Sequence, residues 1–219
     1  MNTSWTNDVD AKAAGFVPPR VAWGLCLLMF VSTVLNYMDR QAIALVGPQV
    51  REEFGINFET FGWVMAAFSL SYALAQVPAG FLADRLAVRG LYAGAVTWWS
   101  LAAVASAFAP SLAVLLLLRG LLGLGESFNW PCALKVTSRV LPPSDRSLGN
   151  GLFNSGAAVG AVLSPLLVPF LAVRYGWRMA FVVVALFTLT SVLGPKNPTV
   201  EKMMPFECGS ESTGGRHLK

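Results

Sequence analysis

Asp39 and Arg40 stand side by side inside an otherwise apolar run that begins at Val21, and Arg119 and Glu126 interrupt another apolar run. A charged side chain at the centre of a membrane-depth helix costs about 2.5–3.5 kcal/mol on insertion scales, so each of the four marks a candidate functional position. A guanidinium in a low-dielectric cavity is a two-pronged receptor for a carboxylate. A carboxylate in the same setting can take up and release a proton. Together these are the parts of a carrier for a small organic anion, driven by a proton gradient and needing no cofactor. A structural alternative stands beside this one: Asp39 pairs with Arg40 or Arg119 simply to hold helices together. Adjacent residues do not face each other well on a helix, and a buried ion pair is weak evidence of stability.

Helical spacing groups these residues. Asn36, Asp39 and Arg40 fall at i, i+3 and i+4, with Tyr37 at the border of that face. Arg119, Gly123 and Glu126 follow i, i+4 and i+7. Ser69, Tyr72 and Gln76 form a third stripe, and Asn150, Asn154 and the adjacent Ser155 a fourth. Residues three and four apart share a helix face. Polar stripes on otherwise apolar cylinders cannot face lipid, so they are expected to converge on one wet interior. Gly156 and Gly160 form a small-residue stripe of the kind that lets two helices approach closely.

The rest of the chain supplies the elements. Hydrophobic residues make up 55% of the 219 and charged residues 13%, against about 25% charged in a soluble domain; mean hydropathy is +0.57. The class is an all-α membrane protein, since transmembrane barrels show ~10-residue alternating segments. Six spans are expected, at 21–46, 58–83, 91–109, 112–136, 148–173 and 177–193, because ~20 apolar residues cross a hydrocarbon core. Residues 1–20 are an N-terminal tail and residues 194–219 a polar C-terminal one. With the N-terminus cytoplasmic, Lys12, Arg20, Arg85, Arg89, Lys135, Arg139, Arg146, Lys196, Lys202, Arg216 and Lys219 lie inside, against Arg51, Arg174 and Arg178 outside. The positive-inside rule favours that orientation, much of the excess resting on the tails. The net charge of +4 is read as this orientation signal, not as a surface for nucleic acid. Cys26, Cys132 and Cys208 lack paired spacing, and His217 lies in the polar tail, so no metal motif or enzymatic nucleophile stands out.

Several motifs resemble those of a known family. GFLADRLAVRG (80–90) is similar to the loop between the second and third helices of the major facilitator superfamily, with Gly80, Asp84, Arg85 and Arg89 matching and Ala87 in place of a glycine. RGLLGLGE (119–126) resembles its fourth-helix pattern. NYMDR, GESFNWP and GLFNSGAAVG resemble the anion:cation symporter branch, especially bacterial carriers of hexuronates and other sugar acids. The resemblance implies that Asp39 and Glu126 are proton-coupling carboxylates and that Arg40 holds the substrate carboxylate. It implies that Tyr37, Tyr72, Asn154 and Ser155 line the cavity, with Arg119 a structural cavity charge. Asp84, Arg85 and Arg89, with Gly80, would form a cytoplasmic charge latch in a bacterial inner-membrane protein.

Members of that family have twelve helices in two halves around a midplane site. Six spans correspond to the N-terminal half, so the expected partners are a carboxylate substrate, the bilayer, and a second half or another copy. The tail is similar to something else. LGPKNPTVEKMMPFECGSESTGG (193–215) resembles the small three-helix membrane subunit of NADH:quinone oxidoreductase, which makes a fused or truncated chain the expectation and a membrane-subunit fragment the alternative.

Overall fold

A computed structural model describes residues 18–193, which form eight helices and no strand. They are α1 (Pro19–Leu45), α2 (Gly47–Phe54), α3 (Phe58–Arg85), α4 (Val88–Ala107), α5 (Leu112–Glu126), α6 (Asn129–Val140), α7 (Arg146–Tyr175) and α8 (Trp177–Leu193). The all-helical expectation holds. The stretches Pro19–Leu45, Phe58–Arg85, Leu112–Val140 and Arg146–Tyr175 are each long and apolar enough to cross a membrane; Trp177–Ser191 is a shorter apolar helix.

Local signals set the boundaries. Asn57 caps α3 by accepting the Thr60 N–H at 2.8 Å, and Ser111 caps α5 by accepting that of Val114 at 3.4 Å; such caps satisfy otherwise orphaned N–H groups. The polar stretch after α1 folds as a helix of its own, α2, with a proline in its first turn, a position where the missing N–H costs nothing. Gly55 ends it at φ +61°, a left-handed conformation that glycine adopts without a Cβ penalty. The expected span 112–136 is divided into α5 and α6 around Ser127 and Phe128. Pro131 has no N–H to offer the Ser127 carbonyl, and the Phe128 N–H turns back to the Gly125 carbonyl at 3.4 Å.

Packing is layered along the helix axes. One apolar core joins Leu25, Cys26 and Met29 of α1 to Trp99, Leu122, Cys132 and Phe153. A second joins Ala42 and Ile43 to Val64, Leu115, Val168 and Phe181. Along α1 the charged segment 36–40 lies between them; along α5 Arg119 lies between them and Glu126 one turn beyond Leu122. α1 is central, with 56% of its apolar window buried, against 17% for α3. α7 lies directly on α1: a Cβ on Gly156 would come within 2.6 Å of the Phe30 carbonyl oxygen, and one on Gly160 within 2.6 Å of that of Val34. The small-residue stripe is thus a close helix contact, as expected. Gly123 does the same for α5 against α3, where a Cβ would sit 2.5 Å from the Phe68 carbonyl oxygen.

Candidate functional site

The charged layer is assembled by the contact of α1 with α5. Arg40 donates to Glu126 Oε2 from Nε at 3.4 Å and from Nη2 at 3.2 Å. Glu126 is fully buried, whereas the Arg40 side chain keeps 26% of its surface exposed. Three rings surround that guanidinium: Tyr72 at 4.4 Å, Phe68 at 5.1 Å and Tyr37 at 5.2 Å from its carbon to the ring centroid. Phe68 and Tyr72, one helical turn apart on α3, stack with centroids 5.9 Å apart. Gly123 allows this: with no Cβ there, α3 comes close enough to place both rings over Arg40.

Asp39 and Arg119 lie in the same layer and are fully buried. Asp39, Arg119 and Glu126 interact electrostatically with one another, so two carboxylates and two guanidiniums form one cluster. The Arg119 guanidinium rests 4.9 Å from the centroid of Phe181. Neither pairing weighed from the sequence, Asp39 with Arg40 or with Arg119, occurs as a direct salt bridge among the described residues. The partner of Arg40 is Glu126. The helical geometry explains the difference. The i, i+1 neighbours Asp39 and Arg40 point about 100° apart, Asp39 into the bundle and Arg40 toward α3 and Glu126.

The structure therefore brings together Asp39, Arg40, Glu126, Arg119, Tyr37 and Tyr72. It does not bring Asn154 and Ser155 to them. Both are exposed on α7, and the Ser155 hydroxyl donates to the Leu152 carbonyl in its own helix at 2.7 Å. The charges expected to form a latch sit at the α3–α4 corner. Asp84 and Arg85 are exposed and Arg89 is half-buried; Arg85 lies 3.9 Å from the Phe81 ring centroid, and no salt bridge joins the three among the described residues. A Cβ on Gly80 would meet nothing within 4 Å.

Four features escaped the sequence reading. Phe68 and Phe181 complete the surroundings of the two guanidiniums; Phe68 was accessible as the residue one turn before Tyr72. Lys135, read only as an orientation charge, donates to the Ala83 and Leu86 carbonyls at the end of α3. Tyr92 donates to Asn129 Oδ1 at 3.0 Å and accepts from the Ser32 hydroxyl at 2.5 Å, and Asn129 donates to Thr33 at 3.3 Å, a buried polar link among α1, α4 and α6. Nothing in the spacing of these residues signalled it. Among the described residues no group of three or more His, Cys, Asp or Glu could hold a metal ion.

Long apolar helices around a buried cluster of paired charges define a membrane-embedded carrier-like protein. The Major Facilitator Superfamily model matches residues 29–202, and the chain belongs to that family. A galacturonate transporter of Dickeya chrysanthemi is 33% identical over 78% of this chain and 50% of its own length. A hexuronate transporter of Escherichia coli K12 is 34% identical over 74% of this chain and 37% of its own. A probable sulfoacetate transporter of Cupriavidus necator is 32% identical over 75% of this chain and 37% of its own. This chain thus spans half or less of the length of these relatives. In fold it is similar to a bacterial homologue of the human lysosomal transporter Spinster, with a TM-score of 0.72 at 24% identity, over 80% of this chain and 42% of that one. The family and these relatives are transporters, not enzymes. The family match runs into the tail likened to a respiratory subunit, whose residues 194–215 lie outside the described ones, and the respiratory alternative receives no support.

Proposed function

We propose that this chain is the six-span N-terminal half of a proton-coupled symporter for a small organic anion, such as a hexuronate or another sugar acid. The observation that carries this reading is the Arg40–Glu126 pair. Arg40 is partly open and framed by aromatic rings, while the carboxylate that holds it is fully buried. A substrate carboxylate and Glu126 would compete for one guanidinium. Protonation of Glu126 removes its charge and frees Arg40 for the substrate; loss of the proton restores the internal pair and expels the substrate. Proton and anion then move together, with Asp39 as a second proton carrier and Arg119 as the fixed charge that keeps two buried carboxylates tolerable. Tyr37 and Tyr72 would line the site on the Arg40 side.

The orientation, N-terminus cytoplasmic, rests on the basic residues of the loops and, more heavily, of the tails, and the bacterial inner membrane on the resemblance to sugar-acid carriers. Asp84, Arg85 and Arg89, with Gly80, would act at that cytoplasmic end as the latch. Ser69, Asn154 and Ser155 are exposed on α3 and α7; the two hydroxyls donate to carbonyls of their own helices, whereas lipid would leave the Asn154 amide unsatisfied. A second half, or a second copy of this chain, covers them in this reading, and Asn154 and Ser155 reach the cavity wall only in that assembly.

Uptake of labelled galacturonate into vesicles with an imposed pH gradient tests the proposal, with the chain alone and co-expressed with a second half. Uptake is expected to be driven by external acid, lost in Arg40→Ala, and independent of the gradient in Glu126→Gln. Full uptake by Arg40→Ala would remove the central assignment.

A further inference from the structure

A large groove lies on a different face of α1 from the charged cluster. It runs between α1, α7 and α8, measures about 520 Å³, and is walled by apolar side chains including Val34, Met38, Leu163, Leu167 and Phe187. Its α7 wall is the stripe Val159, Leu163, Leu167 and Phe170, spaced i, i+4, i+8 and i+11. The next position of the same stripe, i+15, is Arg174. Phe170 also borders a second hollow formed with Pro169, Val173 and Arg174. The apolar groove therefore runs out beside a guanidinium at the end of α7.

That guanidinium is uncommitted. Arg174 is exposed and makes no hydrogen bond or ion pair with another described residue. Arg178, four residues on, is bound to Glu53 and to the Ala107 carbonyl. From Val159 to Leu171 the groove follows about 18 Å of helix at 1.5 Å per residue. Half of a ~30 Å hydrocarbon core is about 15 Å, so the groove matches one leaflet's acyl chain, with the cation where that leaflet's headgroups lie.

We infer that this groove binds one phospholipid with a net anionic headgroup, an acyl chain along α1, α7 and α8 and the phosphate on Arg174. An arginine at the membrane surface favours anionic lipid by about fivefold in affinity. The inference does not depend on what the protein transports.

Native mass spectrometry of the purified, delipidated chain, titrated with phosphatidylglycerol or phosphatidylcholine in mixed micelles, tests it. One phosphatidylglycerol should be retained about fivefold more tightly than phosphatidylcholine. Arg174→Gln should bring the two lipids level, and Leu167→Trp, which fills the groove, should lower retention of both. Both positions are exposed, and helix content by circular dichroism checks that each variant folds. Unchanged phosphatidylglycerol preference in Arg174→Gln, or undiminished retention in Leu167→Trp, would overturn the assignment. So would a disulfide-linked dimer formed by Leu167→Cys in membranes, which would place a second copy in the groove.

Discussion

Two arginine–glutamate salt bridges occur among the described residues, and their settings are opposite. Arg40 and Glu126 meet between two membrane-depth helices, with Glu126 fully buried. Arg178 and Glu53 meet where α8 begins beside α2, with side chains 36% and 41% exposed. The outer pair is a clasp: Glu53 also accepts the Trp177 indole N–H at 2.5 Å, and Arg178 donates as well to the Ala107 carbonyl, so three segments are tied together in contact with water. The inner pair ties two helices but leaves Asp39 and Arg119 beside it without a direct bond to each other. Identical chemistry is a water-exposed fastening in one place and part of a buried four-charge cluster in the other. The deciding factor is whether water can replace a lost partner.

The strongest way to break this contrast is at Arg119. Removing one partner from a buried ionic group costs about 3–5 kcal/mol, because the remaining charge stays uncompensated. Arg119→Ala should therefore destabilise the bundle by about that amount, read as a fall in the thermal unfolding midpoint in detergent. Adding Asp39→Asn to the same chain removes one stranded carboxylate and should recover part of the loss. An Arg119→Ala variant as stable as the parent would show that the inner layer is hydrated like the outer pair.

Glu126→Gln comes next. The amide can still accept from Arg40, but a hydrogen bond between two charges becomes one with a single charge. Hydrogen bonds to charged groups contribute about 1.5–3 kcal/mol, so the loss should be near the lower figure, and Arg40 stays partly solvated. Chemical unfolding measures it. A loss as large as that of Arg119→Ala would mean that Arg40 depends on Glu126 alone and that its aromatic surroundings contribute little.

This ranking also explains what could be read from the chain itself. The four intramembrane charges and their faces were legible because charge in an apolar run is costly and helical spacing is regular. The stripes on α1 and α5 did converge, as expected. The pairing was not legible, since spacing gives a face but not the rotation of one helix against another; that is set by Gly123, Gly156 and Gly160, where α5 and α7 close onto their neighbours. Asn154 and Ser155 carry the same kind of signal as Tyr72, yet they are exposed, because a polar stripe reports that lipid is avoided without naming the surface that covers it. The α2 helix was hidden for another reason: eight residues, four of them polar, are too few to show a hydrophobic period, and only Pro48 and Gly55 mark its ends.

The aromatic surroundings of Arg40 give a smaller, sharper test. A cation over an aromatic ring is worth about 0.5–2 kcal/mol, more as water is excluded. Tyr72→Leu removes the nearest ring and should cost about 1 kcal/mol in stability, while Tyr72→Phe, which keeps the ring, should cost less. Reversible chemical unfolding of the two variants separates ring from hydroxyl. Equal losses would assign the effect to the hydroxyl and leave Glu126 as the main anchor of Arg40.

The outer pair should respond least, and with a definite sign. The hydrogen bond from Arg178, with further help from the Trp177 indole, holds the Glu53 carboxyl below the usual carboxylate range. A carboxylate depressed in the folded state adds stability that is fully present above its unfolded value and disappears as pH falls through its folded value. Acidification from pH 6 toward pH 3 should therefore erode this contribution, and Glu53→Gln should lower the neutral-pH midpoint slightly and remove that part of the acid sensitivity, so that parent and variant converge at acid pH. Both partners are more than a third exposed, so solvent screening limits the effect to at most about 1 kcal/mol, and raising the salt concentration should shrink it further. Thermal midpoints of parent and variant across that pH range, at low and high salt, make the measurement. A pH- and salt-insensitive difference of several kcal/mol would show that the clasp behaves like the buried layer, and the distinction between the two pairs would fall.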